Sequence, residues 1–190
     1  MTCLDNIMYV VCAGSSTIRL YDTQTYSELD VVIDVNGMKE PQDITVCRDS
    51  RQLFVTDSVD LWSHVRYIWR VSVDDHSYVK WLMSDDSTTD RFIAYSLSVT
   101  SQRLLVMSDP PSLHQYNTTD RQLLRVVELP QFVRELFVWS LYHAVETTRG
   151  TFVVGHWGTA QSMWQDAVSN LFAVVVNIFA QQAYFVNVSC

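Results

Sequence analysis

One strand-like pattern recurs along the chain at a nearly constant interval. Runs of aliphatic and aromatic residues are centred on Tyr9, Phe54, Leu105 and Val153, and these positions lie 45, 51 and 48 residues apart. A period of this length indicates a supersecondary unit that buries its apolar faces by stacking on copies of itself. The spacing therefore restricts the chain to a repeat architecture.

The repeated unit consists of short strands and polar turns. In the second unit, Ile44 and Val46 alternate with Thr45 and Cys47, as a half-buried strand requires. Strands are predicted in this unit at 44–47, 52–57, 66–72 and 78–83, and in the third unit at 96–100, 104–108, 113–117 and 122–129. Four short strands in a repeat of this length are typical of propeller blades. We therefore predict an all-β fold, a β-propeller of four-stranded antiparallel blades.

The predicted propeller occupies residues 1–162, with blades at about 6–35, 41–84, 94–130 and 141–162. The first unit starts at Ile7 and lacks an innermost strand, so about three and a half to four blades are expected. Residues 163–190 form an apolar tail of unassigned structure, apart from a short helical turn predicted at 163–169. Because an end blade without a neighbour exposes apolar surface and unpaired edges, self-association through open blade edges is expected.

The second unit resembles the NHL-type repeat. The matching residues read Pro41-x-Asp43-Ile44-x-Val46, then Gln52-Leu53-Phe54-Val55-Thr56-Asp57, then Ile68-Trp69-Arg70-Val71. In that family a proline-led strand is followed by a hairpin and then by an aliphatic–aromatic–Val–x–Asp strand. The resemblance covers residues 6–160. It implies a fragment of a six-bladed propeller that binds protein or RNA through one face.

Charge and cysteine content narrow the class of partner and the compartment. The chain carries 13 basic and 21 acidic residues, a formal net charge of −8, which disfavours a broad phosphate-binding face. Its four cysteines are far apart and form no CxxC pair, and the N-terminal residues do not resemble a signal peptide. No apolar run reaches the length of a membrane span. We therefore expect a cytoplasmic protein that does not bind membranes.

No catalytic pattern stands out. The sequence contains no GxSxG and no HExxH, and no metal or other cofactor is predicted. The enzyme alternative is a calcium-dependent lactonase or esterase of the propeller type, for which the inner strands offer the carboxylates of Asp43 and Glu146. A calcium ion takes about six or more oxygen ligands, so missing blades would have to supply the others. We therefore expect a non-enzymatic protein.

Aromatic residues in two predicted loops are candidates for partner binding. Trp62 and His64 fall in the long connection at 58–65, between the second and third strands of the second unit. His156 and Trp157 are predicted to occupy the matching loop of the fourth unit. Large aromatic side chains commonly anchor protein interfaces. These four residues therefore predict a protein-binding rim on one face of the propeller.

Three arginines recur at one place in the repeat. Arg51, Arg103 and Arg149 each stand in the hairpin between the first two strands of a unit, where they would form a basic stripe across adjacent blades. Such a stripe could bind RNA or a phosphopeptide, although Asp49 and Glu146 would partly neutralise it. Together the patterns favour a non-enzymatic interaction module with a protein partner, and RNA binding through the arginines is the weaker alternative.

Overall fold

The protein was studied as a computed structural model. The structure describes residues 1–58, 66–83, 93–109, 112–128, 141–148, 151–158, 170–177 and 182–187, the last three ranges as backbone only. Among these residues, no helix is long and apolar enough to span a membrane.

The described chain forms four antiparallel sheets of four strands each. The first sheet contains β1 (Thr2–Leu4), β2 (Ile7–Val11), β3 (Thr17–Asp22) and β4 (Glu28–Asp34), and the second contains β5 (Glu40–Cys47), β6 (Gln52–Ser58), β7 (Arg66–Ser72) and β8 (Tyr78–Met83). The third sheet contains β9 (Ile93–Thr100), β10 (Arg103–Asp109), β11 (Ser112–Asn117) and β12 (Leu123–Glu128). The fourth sheet contains β13 (Leu141–Thr148), β14 (Thr151–Gly158), β15 (Asn170–Asn177) and β16 (Gln182–Asn187). In each sheet the strands pair in chain order, which confirms the predicted all-β propeller of four-stranded blades.

The first sheet is complete, and the prediction that it lacks its innermost strand is wrong. Strand β1 pairs antiparallel with β2, and Leu4 is buried in the core. The two strands are joined by Asp5 and Asn6, whose φ angles are 49° and 62°. Two consecutive residues with positive φ form the tight hairpin turn that matches strand twist, and Asn and Asp accept this conformation more readily than most residues do. The Asp-Asn pair is therefore a turn signal that the sequence analysis missed.

The fourth sheet extends beyond the predicted blade limit at residue 162. Strands β15 and β16 lie in the segment to which the sequence assigned no structure, and β14 and β15 pair without a register shift over their eight residues. The helical turn predicted at 163–169 lies outside the described residues. Four full sheets are therefore present in the described chain.

Consecutive sheets pack face to face. The innermost strands β1, β5, β9 and β13 contact one another in that order. The innermost strand of every sheet therefore lies on the same side of the stack. Among the described strands, none in the first sheet contacts the fourth. The four blades thus form an open stack with two end sheets.

The first two interfaces are apolar. Between the first and second sheets, buried residues including Tyr9, Ile18, Leu53 and Trp69 form one cluster. Between the second and third sheets, Trp81 stacks edge-on against Phe54 and Tyr116, with ring centroids 5.1 and 5.9 Å apart. Trp69 and Trp81 are both almost fully buried at these interfaces.

The aspartate of the Val-x-Asp strand has a structural role. One carboxylate oxygen of Asp57 accepts hydrogen bonds from the backbone N–H groups of Lys39 (3.1 Å) and Glu40 (2.7 Å). The other accepts one from the indole Nε1–H of Trp69 at 2.9 Å. Because Asp57 is fully buried, these three donors satisfy a charge that would otherwise be costly to bury. Asp57 therefore joins the start of β5, the first strand of the second blade, to the buried indole of Trp69.

Candidate functional site

The predicted aromatic rim is only partly within the described chain. Trp62 and His64 belong to residues 59–65, outside the described residues. His156 and Trp157 lie inside strand β14, where the backbone of His156 pairs with Leu141 and Phe172. Their predicted position in a loop is therefore wrong. Pairing with β15 extends strand β14 through Gly158, beyond both residues.

Arg51 links the first two sheets. Its guanidinium donates to the carboxylate of Asp5, in the turn between β1 and β2, and to that of Asp74 at 2.7 Å, in the turn after β7. These hydrogen bonds, the one to Asp5 having the larger effect, raise the pKa of the Arg51 guanidinium above its ordinary value. The Arg51 side chain is 41% exposed, so its ion pairs with Asp5 and Asp74 lie at the exposed rim of the interface between the first and second sheets. We call these two ion pairs the Arg51 clamp.

Arg103 lies beside a buried carboxylate of the next sheet. Its guanidinium is 3.8 Å from Glu146 on β13, and the side chain of Glu146 is only 2% exposed. Two residues that the sequence analysis did not select complete this group. Arg125 donates to Glu146 at 2.6 Å and to the side-chain oxygen of Gln115 at 2.8 Å, and the Gln115 amide donates to Glu146 at 2.7 Å. We call these four residues the buried ionic network.

Two members of the predicted arginine stripe, Arg51 and Arg103, are within the described residues. Arg51 and Arg103 each contact carboxylates across a sheet interface, and Arg149 lies outside the described residues. The sequence did identify Glu146 as a neutralising group. It missed Gln115 and Arg125, although these two are directly opposite each other on β11 and β12, where polar cross-strand pairs are expected to interact.

The two inner-strand carboxylates considered for calcium belong to different interfaces. One oxygen of Asp43 accepts from the Ser96 hydroxyl (2.9 Å) and the Leu97 backbone N–H (2.8 Å), which ties β5 to β9. Glu146 is engaged in the buried ionic network between the third and fourth sheets. Within the described ranges, no three His, Cys, Asp or Glu residues are grouped to hold a metal ion. The geometry gives both carboxylates a structural role.

A polar groove separates the second and third sheets at the hairpin end of the blades. Its volume is about 360 Å³, and it is lined by Ser50, Gln52, Arg70, Ser72, Asp75, Ser77, Val79, Thr118 and Thr119. Hydrogen bonds from Ser72 and then Ser77 lower the pKa of Asp75 to about 2, so this carboxylate is ionised at neutral pH. With one cation, one anion and several hydroxyls, the groove suits hydrogen-bonding groups better than apolar ones.

Comparison with known proteins identifies the fold. No family model and no curated protein matches the chain. Similar solved structures include the N-terminal domain of Nup159, at 12% identity and a TM-score of 0.60 over 98% of this chain and 46% of that one. The WD40 repeats of RRP9 match at 11% identity and a TM-score of 0.59 over 96% and 48%. A chain of an S. cerevisiae complex of Dbp5 bound to Nup159 and Gle1 matches at 12% identity and 0.59 over 96% and 45%.

These structures support a β-propeller and not the NHL type in particular. At such low identity the likeness shows the fold alone. The chain spans about half the length of the solved chains that it matches.

Proposed function

We propose that this chain is a non-enzymatic propeller module that binds a protein partner through one face. The proposal rests on the hydrogen bonds that the described carboxylates on or near the innermost strands accept. Asp43, Asp57 and Glu146 each accept hydrogen bonds that join strands or sheets. Groups committed in this way stabilise the scaffold and are not free to act on a substrate.

The up-and-down strand order determines which connections share a face. The connection from β6 to β7, which contains Trp62 and His64, leaves the sheet at the same end as the connections between successive sheets. Loops held at one end of a rigid scaffold are common binding elements. Trp62 and His64 are therefore the residues that we propose as anchors for the partner, together with the end of β14 that contains His156 and Trp157, which lies at the same end of its own sheet.

The other two functions receive less support. RNA binding through Arg51 and Arg103 would require these guanidiniums to leave the carboxylates that they contact. A calcium-dependent hydrolase would need Asp43 and Glu146 in one site, and they serve separate interfaces. The NHL-type assignment stays a prediction based on the second unit, in which Asp57 and Trp69 now have a physical role.

The test is affinity capture of partner proteins by the purified chain, quantified by mass spectrometry. Trp62→Ala and His64→Ala should each reduce recovery of the same partner, about tenfold or more for the tryptophan if it is an interface anchor. Tyr26→Asn is the matched control, because Tyr26 is a 75% exposed aromatic residue in a turn at the opposite end of a blade. Equal recovery by all variants would exclude the proposed face.

A further inference from the structure

The first sheet presents one face that no described strand covers. The opposite face packs on the second sheet through Leu4, Tyr9, Ile18 and Leu20. Since side chains alternate along a strand and paired residues share a side, the uncovered side carries Cys3, Met8, Val10, Thr17, Arg19, Tyr21, Glu28, Val32 and Asp34. We call these nine residues the open face.

The open face is apolar on β2 and carries its charges on β3 and β4. Val32 is 47% exposed at its edge, and the side chains of Met8, Val10 and Tyr21 are half-buried. The charged members are Arg19, Glu28 and Asp34, and the guanidinium of Arg19 lies 3.5 Å from the carboxylate of Glu28 on β4. The charge of Arg19 is thus already compensated within the sheet. A surface that binds to the open face therefore needs apolar side chains of complementary shape more than it needs an opposite charge.

The fourth sheet also has an outward face. On β13, Ala144 and Glu146 are buried, and Val145 between them is 37% exposed. Because neighbouring residues of a strand point to opposite sides, Val145 lies on the side away from the third sheet. The two ends of the stack therefore offer different surfaces, which suits a head-to-tail contact.

The arrangement of the sheets identifies what could cover both ends at once. Each described sheet packs face to face on the next, and the same relation would continue if the fourth sheet of one copy met the first sheet of another. Two copies would bring together eight sheets, which is within the range of about four to eight blades in closed propellers. The chain also spans roughly half of the propeller chains that it resembles, 45% to 48% in three of them.

We propose that two copies of this chain associate head to tail, the open face of each packing on the fourth sheet of the other. A head-to-tail interface forms a closed ring when the rotation between copies closes. Closure covers both exposed sheet ends of both copies, so the assembly stops at two and does not grow into a filament. This contact does not involve Trp62 and His64, the residues at which the partner proposal is tested, and either proposal can fail alone.

The experiment is size-exclusion chromatography with light scattering on the purified chain over a wide concentration range. The expected mass is twice the 21.9 kDa of one chain. Val32→Glu places a carboxylate on the open face and should raise the dimer dissociation constant at least tenfold. Val126→Glu is the matched control, since Val126 is 43% exposed on β12, the outermost strand of the third sheet, which takes no part in the proposed contact.

Circular dichroism and thermal unfolding establish that both variants are folded. A monomer at all concentrations would overturn the proposal, and a blade from another chain would then be the occupant of the open face. Equal weakening by Val126→Glu and Val32→Glu would also overturn it, as would an open-ended series of larger assemblies. A dimer dissociated by Val32→Glu alone would support it.

Discussion

Two sheet interfaces of this protein use different chemistry. Between the first and second sheets, Tyr9, Ile18, Leu53 and Trp69 form an apolar cluster, and the charged Arg51 clamp lies at its exposed rim. Between the third and fourth sheets, Glu146 is buried together with Gln115 and Arg125. The repeat thus dictates that sheets stack, but it leaves open whether an interface is held by packing or by hydrogen-bonded charges.

The apolar interface and the buried ionic network should lose stability for different reasons when they are mutated. An apolar cluster loses stability in proportion to the volume that is removed. A buried ion pair contributes little more stability than well-packed apolar residues of similar volume would. Removing one partner, however, leaves the other charge buried without a compensating charge, which is strongly destabilising. Variants at the two interfaces can therefore test whether the contrast holds in solution.

The largest effect is expected at the apolar interface. Trp69→Ala should lower the free energy of unfolding by about 4 kcal/mol, because it leaves a large cavity and removes the indole donor to Asp57. Urea unfolding followed by circular dichroism measures this loss. Trp69→Phe keeps most of the ring and removes the Nε1–H, so its loss should be clearly smaller. Equal losses would show that the hydrogen bond, and not packing, dominates here.

The buried ionic network should give the next largest effect. Glu146→Ala should cost about 3 kcal/mol, because Arg125 and Gln115 would lose their shared acceptor. The double variant Glu146→Leu with Arg125→Met removes both charges and should recover most of that loss in the same urea experiment. A double variant as unstable as Glu146→Ala would mean that the network is worth more than apolar packing at this interface.

The Arg51 clamp should give the smallest effect. Its ion pairs with Asp5 and Asp74 are exposed, so Arg51→Ala should shift the urea midpoint only slightly. Added sodium chloride screens exposed charges, and the difference from the unmodified chain should vanish near 1 M salt. Glu146→Ala is the comparison, since a buried network is screened much less. A shift at Arg51 that persists at high salt would contradict the assignment of a surface clamp.

Much of the fold could be predicted from the sequence because its signals are local. The alternation at 44–47 predicts a strand within β5, and the strands predicted at 52–57, 66–72 and 78–83 correspond to β6, β7 and β8. The Asp5–Asn6 turn was missed even though its residues favour positive φ. Strands β15 and β16 lie in the segment that was left unassigned and were not predicted.

The candidate sites depend much more on contacts between distant parts of the chain. Arg103 and Glu146 meet only because the third and fourth sheets stack in one particular register. Trp62, His64 and Arg149 fall outside the described residues, so their proposed roles still rest on the sequence.

By itself, the sequence determined the repeat and the order of the four strands in the second and third blades. These features follow from residue spacing and turn chemistry over a few neighbouring positions. The tertiary structure decided that Arg51 and Arg103 form links between sheets, that Asp43 ties β5 to β9, and that no described strand covers the open face of the first sheet. The physical reason is that a charged side chain acquires its role from the group brought opposite to it, and only the stacking of the sheets sets that pairing.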